Sequence, residues 1–260
     1  MLRCKFPAAL FGLALSLGAP WSPAAAAPVK SVVIVHGAFA DGSGWRRVSD
    51  ILTAKGYAVS IVQQPLTSLG DDVAATRRVL SLQTGPAVLV GHSYGGMVIS
   101  EAGNDSHVAA LVYVAAFQPD KGESLAKLAE SKPVSGAEPG AVKATADGYL
   151  YLDPPAFAGA FAADLPAADA AFLAHSQVFA AKDAFTAPAG EPAWKSKPSW
   201  ALVATADRSI NPELELEMAR RAGSHVRSVE ASHAVYAAKP EAVAALIVEA
   251  AEAVSQRLPK

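Results

Sequence analysis

Six short runs of apolar and β-branched residues punctuate the chain, at positions 31–35, 57–62, 87–90, 108–115, 200–204 and 226–230. They show little alternation between apolar and polar positions, as expected of strands covered on both faces. Between them, over 45–55, 71–82, 97–104, 212–222 and 240–257, apolar residues recur at helical spacing. Asp71 and Asp72 suit a helix N-terminus, where the dipole favours carboxylates, and Pro212 and Pro240 suit first-turn positions. This regular alternation predicts an α/β fold: a mostly parallel sheet of about six strands with helices on both faces.

The alternation breaks between residues 118 and 198, where Ala, Pro and Gly dominate and Tyr149, Tyr151, Phe157, Phe161, Phe172, Phe179 and Phe185 are scattered. The four-residue spacing of Phe157 and Phe161 is amphipathic, so an inserted helical cap is expected rather than a disordered linker. The N-terminus carries a different pattern. Arg3 and Lys5 precede an apolar stretch from Ala8 to Leu17, then Pro20, Pro23 and three alanines at 24–26. This reads as an export signal over 1–26, leaving residues 27–260 as one domain in the periplasm or outside the cell. An apolar core of about ten residues falls short of the roughly twenty that span a bilayer, so no stable membrane anchor is expected.

Composition narrows the chemistry. The only cysteine, Cys4, lies within the expected signal, so the exported chain would have no disulfide and no thiolate ligand. The chain carries 22 Lys and Arg against 24 Asp and Glu, with no basic block, so no nucleic-acid partner is expected.

The sharpest motif is Gly91-His92-Ser93-Tyr94-Gly95, placed between the apolar run Ala87-Val88-Leu89-Val90 and a helical stretch. A strand, a G-x-S-x-G pentapeptide and a helix in that order form the setting of a nucleophile elbow, in which a serine is held on a tight turn. Such a serine needs a base. Of the six histidines, His92 is inside the elbow and points away from the hydroxyl, and His36 ends the first strand and is expected to shape the loop beside the serine. His107 and His225 precede strands and His175 lies in the insertion, whereas His233 follows the last strand, where a loop can reach back over the sheet. The orienting acid is expected on the loop after the preceding strand, where Asp207 stands; Asp120, after the fourth strand, is its rival. The order Ser93, Asp207, His233 differs from those of other serine-hydrolase folds. Oxyanion donors are expected from the backbone N–H of Tyr94, next to the nucleophile, and of Ala38, on the loop after the first strand.

His36-Gly37-Ala38 with Trp45 downstream, Gly91-His92-Ser93-Tyr94-Gly95-Gly96-Met97, Ala115-Ala116-Phe117-Gln118-Pro119-Asp120, Thr205-Ala206-Asp207-Arg208 and Ser232-His233 together resemble the α/β-hydrolase branch of plant methylesterases and hydroxynitrile lyases, with bacterial pyrethroid-type carboxylesterases nearby. The resemblance spans nearly all of the chain beyond the signal except residues 122–197. It implies an α/β-hydrolase fold, a Ser93–Asp207–His233 triad and oxyanion donors at Ala38 and Tyr94. The lyases of this branch have a threonine after the first-strand histidine and a lysine after the catalytic histidine. Here these positions are Gly37 and Ala234, so the resemblance favours an esterase. Related enzymes that open epoxides or displace halide use an aspartate in place of Ser93.

The expected activity is hydrolysis of carboxylic esters of small to medium apolar molecules through an acyl-enzyme, with neither metal nor organic cofactor. Two alternatives stay open at this level. One is cofactor-free perhydrolysis of the haloperoxidase type, in which peroxide replaces water. The other is a ligand-binding protein on a hydrolase scaffold. Oligomeric state is not legible.

Overall fold

A computed structural model of the protein describes residues 28–256; the expected signal, residues 1–26, lies outside them. Six strands form the main sheet: β1 (Ser31–Val35), β2 (Ala58–Val62), β3 (Ala87–Ser93), β4 (Val108–Ala116), β8 (Ser199–Ala204) and β9 (His225–Val229). They pair in the order β2-β1-β3-β4-β8-β9, parallel throughout. The strands lie within a few residues of the expected positions; the largest difference is at β3, which runs on to Ser93 itself.

Alternate residues of each strand feed two separate cores. Val32 and Ile34 face one side with Val88, Val90 and Val112, where α1 (Arg46–Ala54) and α10 (Pro240–Ser255) contribute Val48, Leu52, Val243 and Ile247. Val33 and Val35 face the other with Leu89 and Leu111, against Val73 of α2 (Leu69–Leu80), Met97 of α3 (Gly95–Ala102) and Met218 of α8 (Pro212–Arg221). Burying each such side chain stabilises the fold by roughly 1.5–3 kcal/mol relative to exposure, and burial on both sides explains why the strands read as unbroken apolar runs.

The helices start where the sequence provides caps. Ser68 Oγ accepts the Asp71 N–H at 3.1 Å and donates to Asp71 Oδ2 at 2.8 Å, closing the first turn of α2. Asn211 Oδ1 accepts the Glu213 N–H at 2.9 Å, with Pro212 at the first helical position of α8. A short helix α9 (Val235–Ala238) links the loop after β9 to α10.

The insertion is more mixed than the helical cap expected of it. It holds four helices, α4 (Leu125–Ser131), α5 (Pro154–Phe161), α6 (Ala167–His175) and α7 (Lys182–Thr186). It also holds an antiparallel sheet of β5 (Val142–Ala144), β6 (Tyr149–Leu152) and β7 (Ala180–Ala181). The signal for the hairpin was Asp147-Gly148, a turn dipeptide before Tyr149-Leu150-Tyr151-Leu152, with Gly148 at φ 90°. Strands this short carry too little periodicity to stand out. Phe157 and Phe161 are buried and stacked, centroids 4.9 Å apart, as their spacing suggested, whereas Phe172 and Phe179 are exposed.

Backbone contact fixes where α3 meets the sheet. A Cβ on Gly95 would lie 2.5 Å from the Val35 carbonyl oxygen, and one on Gly96 would lie 1.9 Å from that of Phe117. Only residues without side chains let the helix start this close to β1 and to the end of β4. Replacing Gly96 by Ala is therefore expected to destabilise the fold by at least the 1–3 kcal/mol typical of overpacking, about 2–12 °C in Tm for a domain of this size. A thermal melt of G96A at the wild-type temperature would contradict this packing.

Candidate active site

Ser93 ends β3 with φ 52°, in the left-handed region that residues with a Cβ seldom adopt. Its carbonyl accepts the Phe117 N–H at 3.2 Å, so the strained residue is tied to the end of the neighbouring strand. Tyr94 follows at once and leads into α3. The structure thus places Ser93 on the sharp strand-to-helix turn that the motif predicts.

His233 and Asp207 come to the same end of the sheet from the loops after β9 and β8. His233 Nδ1 and Asp207 Oδ2 are 2.6 Å apart, and both side chains are almost fully buried. The other Asp207 oxygen accepts the N–H groups of Ser209 at 2.6 Å and Ile210 at 2.9 Å, which holds the carboxylate in place. The carboxylate accepts from Nδ1–H, leaving Nε2 free to take a proton. Ser93 and His233 line one cavity, together with Ala38 and Tyr94. The rival Asp120 belongs elsewhere: its carboxylate lies 2.6 Å from Lys195 Nζ on the surface.

The loop after β1 runs beside the serine. His36 Nδ1 donates to the Gly37 carbonyl at 2.9 Å, Nε2 accepts the Gln64 N–H at 3.3 Å, and the Gln64 amide donates to the His36 carbonyl at 2.5 Å. His36 therefore shapes this loop, as its position suggested. Among the described residues neither the Ala38 nor the Tyr94 N–H donates to a protein acceptor, so both expected oxyanion donors are free. Gly37 admits no threonine: a Cβ there would sit 2.8 Å from Ser93 Cβ and 2.9 Å from His92 Nδ1. Ala234 is fully buried, with its N–H donating to the Phe161 carbonyl at 2.8 Å.

Several supporting residues carried no signal in the sequence. The His92 ring packs beside that of His233, centroids 4.6 Å apart, and its Nε2 donates to the His233 carbonyl at 3.0 Å, bracing the loop that carries His233. Asp164, in the insertion, accepts from the N–H and hydroxyl of Ser232, and Phe161 stands edge-on to the His233 ring at 4.7 Å. Burial holds His36 below the usual imidazole range and His92 well below it, so both are neutral in the folded protein. Glu215, buried on α8, is the counterpart. Burial and the adjoining Asp207 carboxylate push it well above the usual carboxylate range, which favours its protonated form.

The cavity measures about 470 Å³, within the range of small-molecule sites. Phe117, Leu125, Leu152, Phe161, Phe185 and Leu214 make its wall largely apolar. Among the described residues no cluster of side chains could hold a metal ion, and no helix is long and apolar enough to cross a membrane.

Residues 32–246 match the model of the alpha/beta hydrolase family. The chain belongs to that family. Among solved structures, the hydrolase is similar to a pyrethroid hydrolase from Sphingobium faniae JZ-2, at 21% identity over 88% of this chain and 99% of that one, with a TM-score of 0.72. Polyneuridine aldehyde esterase is 18% identical over 85% of this chain and 98% of its own, TM-score 0.71. A methylesterase from Arabidopsis gives the same identity, coverage and TM-score. At these identities the likeness is one of fold. No curated protein sequence matches the hydrolase.

The protonated Glu215 has a consequence for stability. Its folded-state proton is held to higher pH than in the unfolded chain, so its contribution is complete below about pH 4.3 and is lost as pH rises through the folded value. Glu215→Gln cannot ionise. Its Tm is expected to gain on wild type as pH rises from 5 to 9; a difference constant with pH would contradict a protonated Glu215.

Proposed function

We propose that this hydrolase cleaves carboxylic esters of small to medium apolar molecules through an acyl-enzyme on Ser93. The observation that carries this reading is the opening of Ser93 onto an apolar cavity shared with His233, whose Nδ1 is held by Asp207. His233 Nε2 takes the hydroxyl proton as Ser93 Oγ attacks the ester carbonyl. The oxyanion rests on the N–H groups of Ala38 and Tyr94. The C–O bond to the alcohol then breaks, and the alcohol leaves with the proton from His233. Water, deprotonated by the same ring, attacks the acyl-enzyme and releases the acid and the serine. Asp207 keeps the imidazole in the productive tautomer and stabilises its cationic form.

Hydrolysis is favoured over cyanohydrin cleavage by the two positions where the lyases of the branch carry threonine and lysine. At Gly37 there is no room for a side chain, and buried Ala234 offers no cation to a departing cyanide. The similar structures bear the names of a hydrolase, an esterase and a methylesterase, which supports the same reading. The N-terminal pattern supports export of the enzyme to the periplasm or beyond.

The test is hydrolysis of p-nitrophenyl esters of increasing acyl length by the chain beginning at Ala27. Ser93→Ala is expected to lower kcat by about 10⁴- to 10⁶-fold and Asp207→Asn by about 10⁴-fold, with KM little changed. The rate should fall once the acyl chain outgrows the cavity. Equal rates for wild type and Ser93→Ala on every ester would overturn the reading.

A further inference from the structure

Tyr94 contributes more than its amide. Its buried phenol donates to Asp72 Oδ2 at 2.7 Å, and the other oxygen of that carboxylate accepts the Leu66 N–H at 2.9 Å. Leu66 has a left-handed backbone, φ 55°, and its carbonyl accepts the Ala181 N–H of β7 at 2.8 Å. The Tyr94 ring stacks on Phe185 of α7, centroids 6.0 Å apart. Phe185 also stacks on Phe39, at 5.8 Å, the residue after Ala38. Both oxyanion amides therefore stand next to side chains held by one piece of the insertion, residues 180–186.

Asp72 is the junction of this network. It is fully buried on the first turn of α2, does not line the cavity, and makes no ion pair among the described residues. Of the elements packed on α2, α3 carries Glu101 and α7 carries Lys182 and Asp183, while β1 and β2 carry no charge; Asp71 is its neighbour on its own helix. A buried carboxylate without a cation is costly, and here its two oxygens are matched to two donors. Burial pushes Asp72 up to about 6, so at neutral pH it is ionised and both bonds are charge-assisted.

On the reading of Ser93 as nucleophile, we propose that Asp72 is a positioning residue: by holding Tyr94 Oη and Leu66 together, it sets the direction of the Tyr94 amide and joins the oxyanion hole to residues 180–186 of the insertion. Because Tyr94 follows a strained serine, tilting its peptide plane shifts the donor and the nucleophile together. Oxyanion donors act at the transition state, so misplacing one lowers kcat and leaves KM largely alone.

The experiment combines Asp72→Asn and Tyr94→Phe singly and together, with two readouts: kcat and KM for p-nitrophenyl butyrate, and the second-order rate at which a fluorophosphonate labels Ser93. Each single variant is expected to lose about 10- to 100-fold in both kcat and labelling rate, with KM within about twofold. The double variant should lose much less than the product of the two, because Asp72 acts through Tyr94. Folded single variants with wild-type rates, or losses that multiply, would overturn the proposal. Should Asp72→Asn not fold, Tyr94→Phe, which lacks only a hydroxyl and keeps the Leu66 bond, decides alone. If wild type hydrolyses no ester but is labelled, the esterase reading falls and labelling still judges Asp72. A wild type unlabelled at Ser93 overturns both.

Discussion

Everything at the candidate active site depends on how closely the start of α3 is pressed against the sheet. Gly95 sits against the Val35 carbonyl and Gly96 against that of Phe117, at distances no Cβ could share. That contact forces the chain to turn within one residue, and Ser93 takes up the turn with a left-handed backbone. Backbone strain of this kind costs on the order of 1–3 kcal/mol and persists only where the surroundings over-determine it. The surroundings here are two strands and a buried helix. In return Ser93 lines the cavity, and the adjoining Tyr94 N–H is left without a protein acceptor among the described residues.

The parallel sheet does the remaining assembly. The loops after β1, β3, β8 and β9 all leave the carboxyl ends of their strands, so Ala38, Ser93, Asp207 and His233 converge although 195 positions separate the first from the last. The insertion then covers them. Through Phe161 and Asp164 it braces the His233 loop, and through Phe185 it braces the oxyanion side. Charge is controlled by burial: it lowers His36 and His92 toward the neutral form, raises Glu215 toward its protonated form, and leaves His233 as the histidine at the cavity with a carboxylate partner.

The main sheet and the candidate triad were legible because each rests on a local signal. Buried parallel strands leave unbroken apolar runs, the elbow needs small residues around its serine, and the loop after the strand preceding that of His233 points to Asp207, whereas Asp120 is set aside only by its ion pair with Lys195 in the fold. The insertion was legible only in part. Its strands have two to four residues, too few for a periodic pattern to emerge, and its helices draw on alanine, which favours helix without indicating a face. The supporting residues left no trace at all. Asp72, Asp164 and Glu215 look like ordinary helix or loop carboxylates in the sequence, and only the fold shows that Asp72 is buried against Tyr94 and Glu215 beside Asp207, and that the exposed Asp164 accepts from Ser232.

The central claim is that Ser93 becomes covalently acylated during turnover. Its most direct test is to quench a reaction with excess p-nitrophenyl ester in acid at early times and weigh the intact protein and its peptides. The account predicts a species heavier by one acyl group in place of one hydrogen, located on the peptide containing Ser93 and matched by a stoichiometric burst of p-nitrophenolate. Steady release of p-nitrophenolate with no burst, and with Ser93 unmodified at every time point, would contradict it.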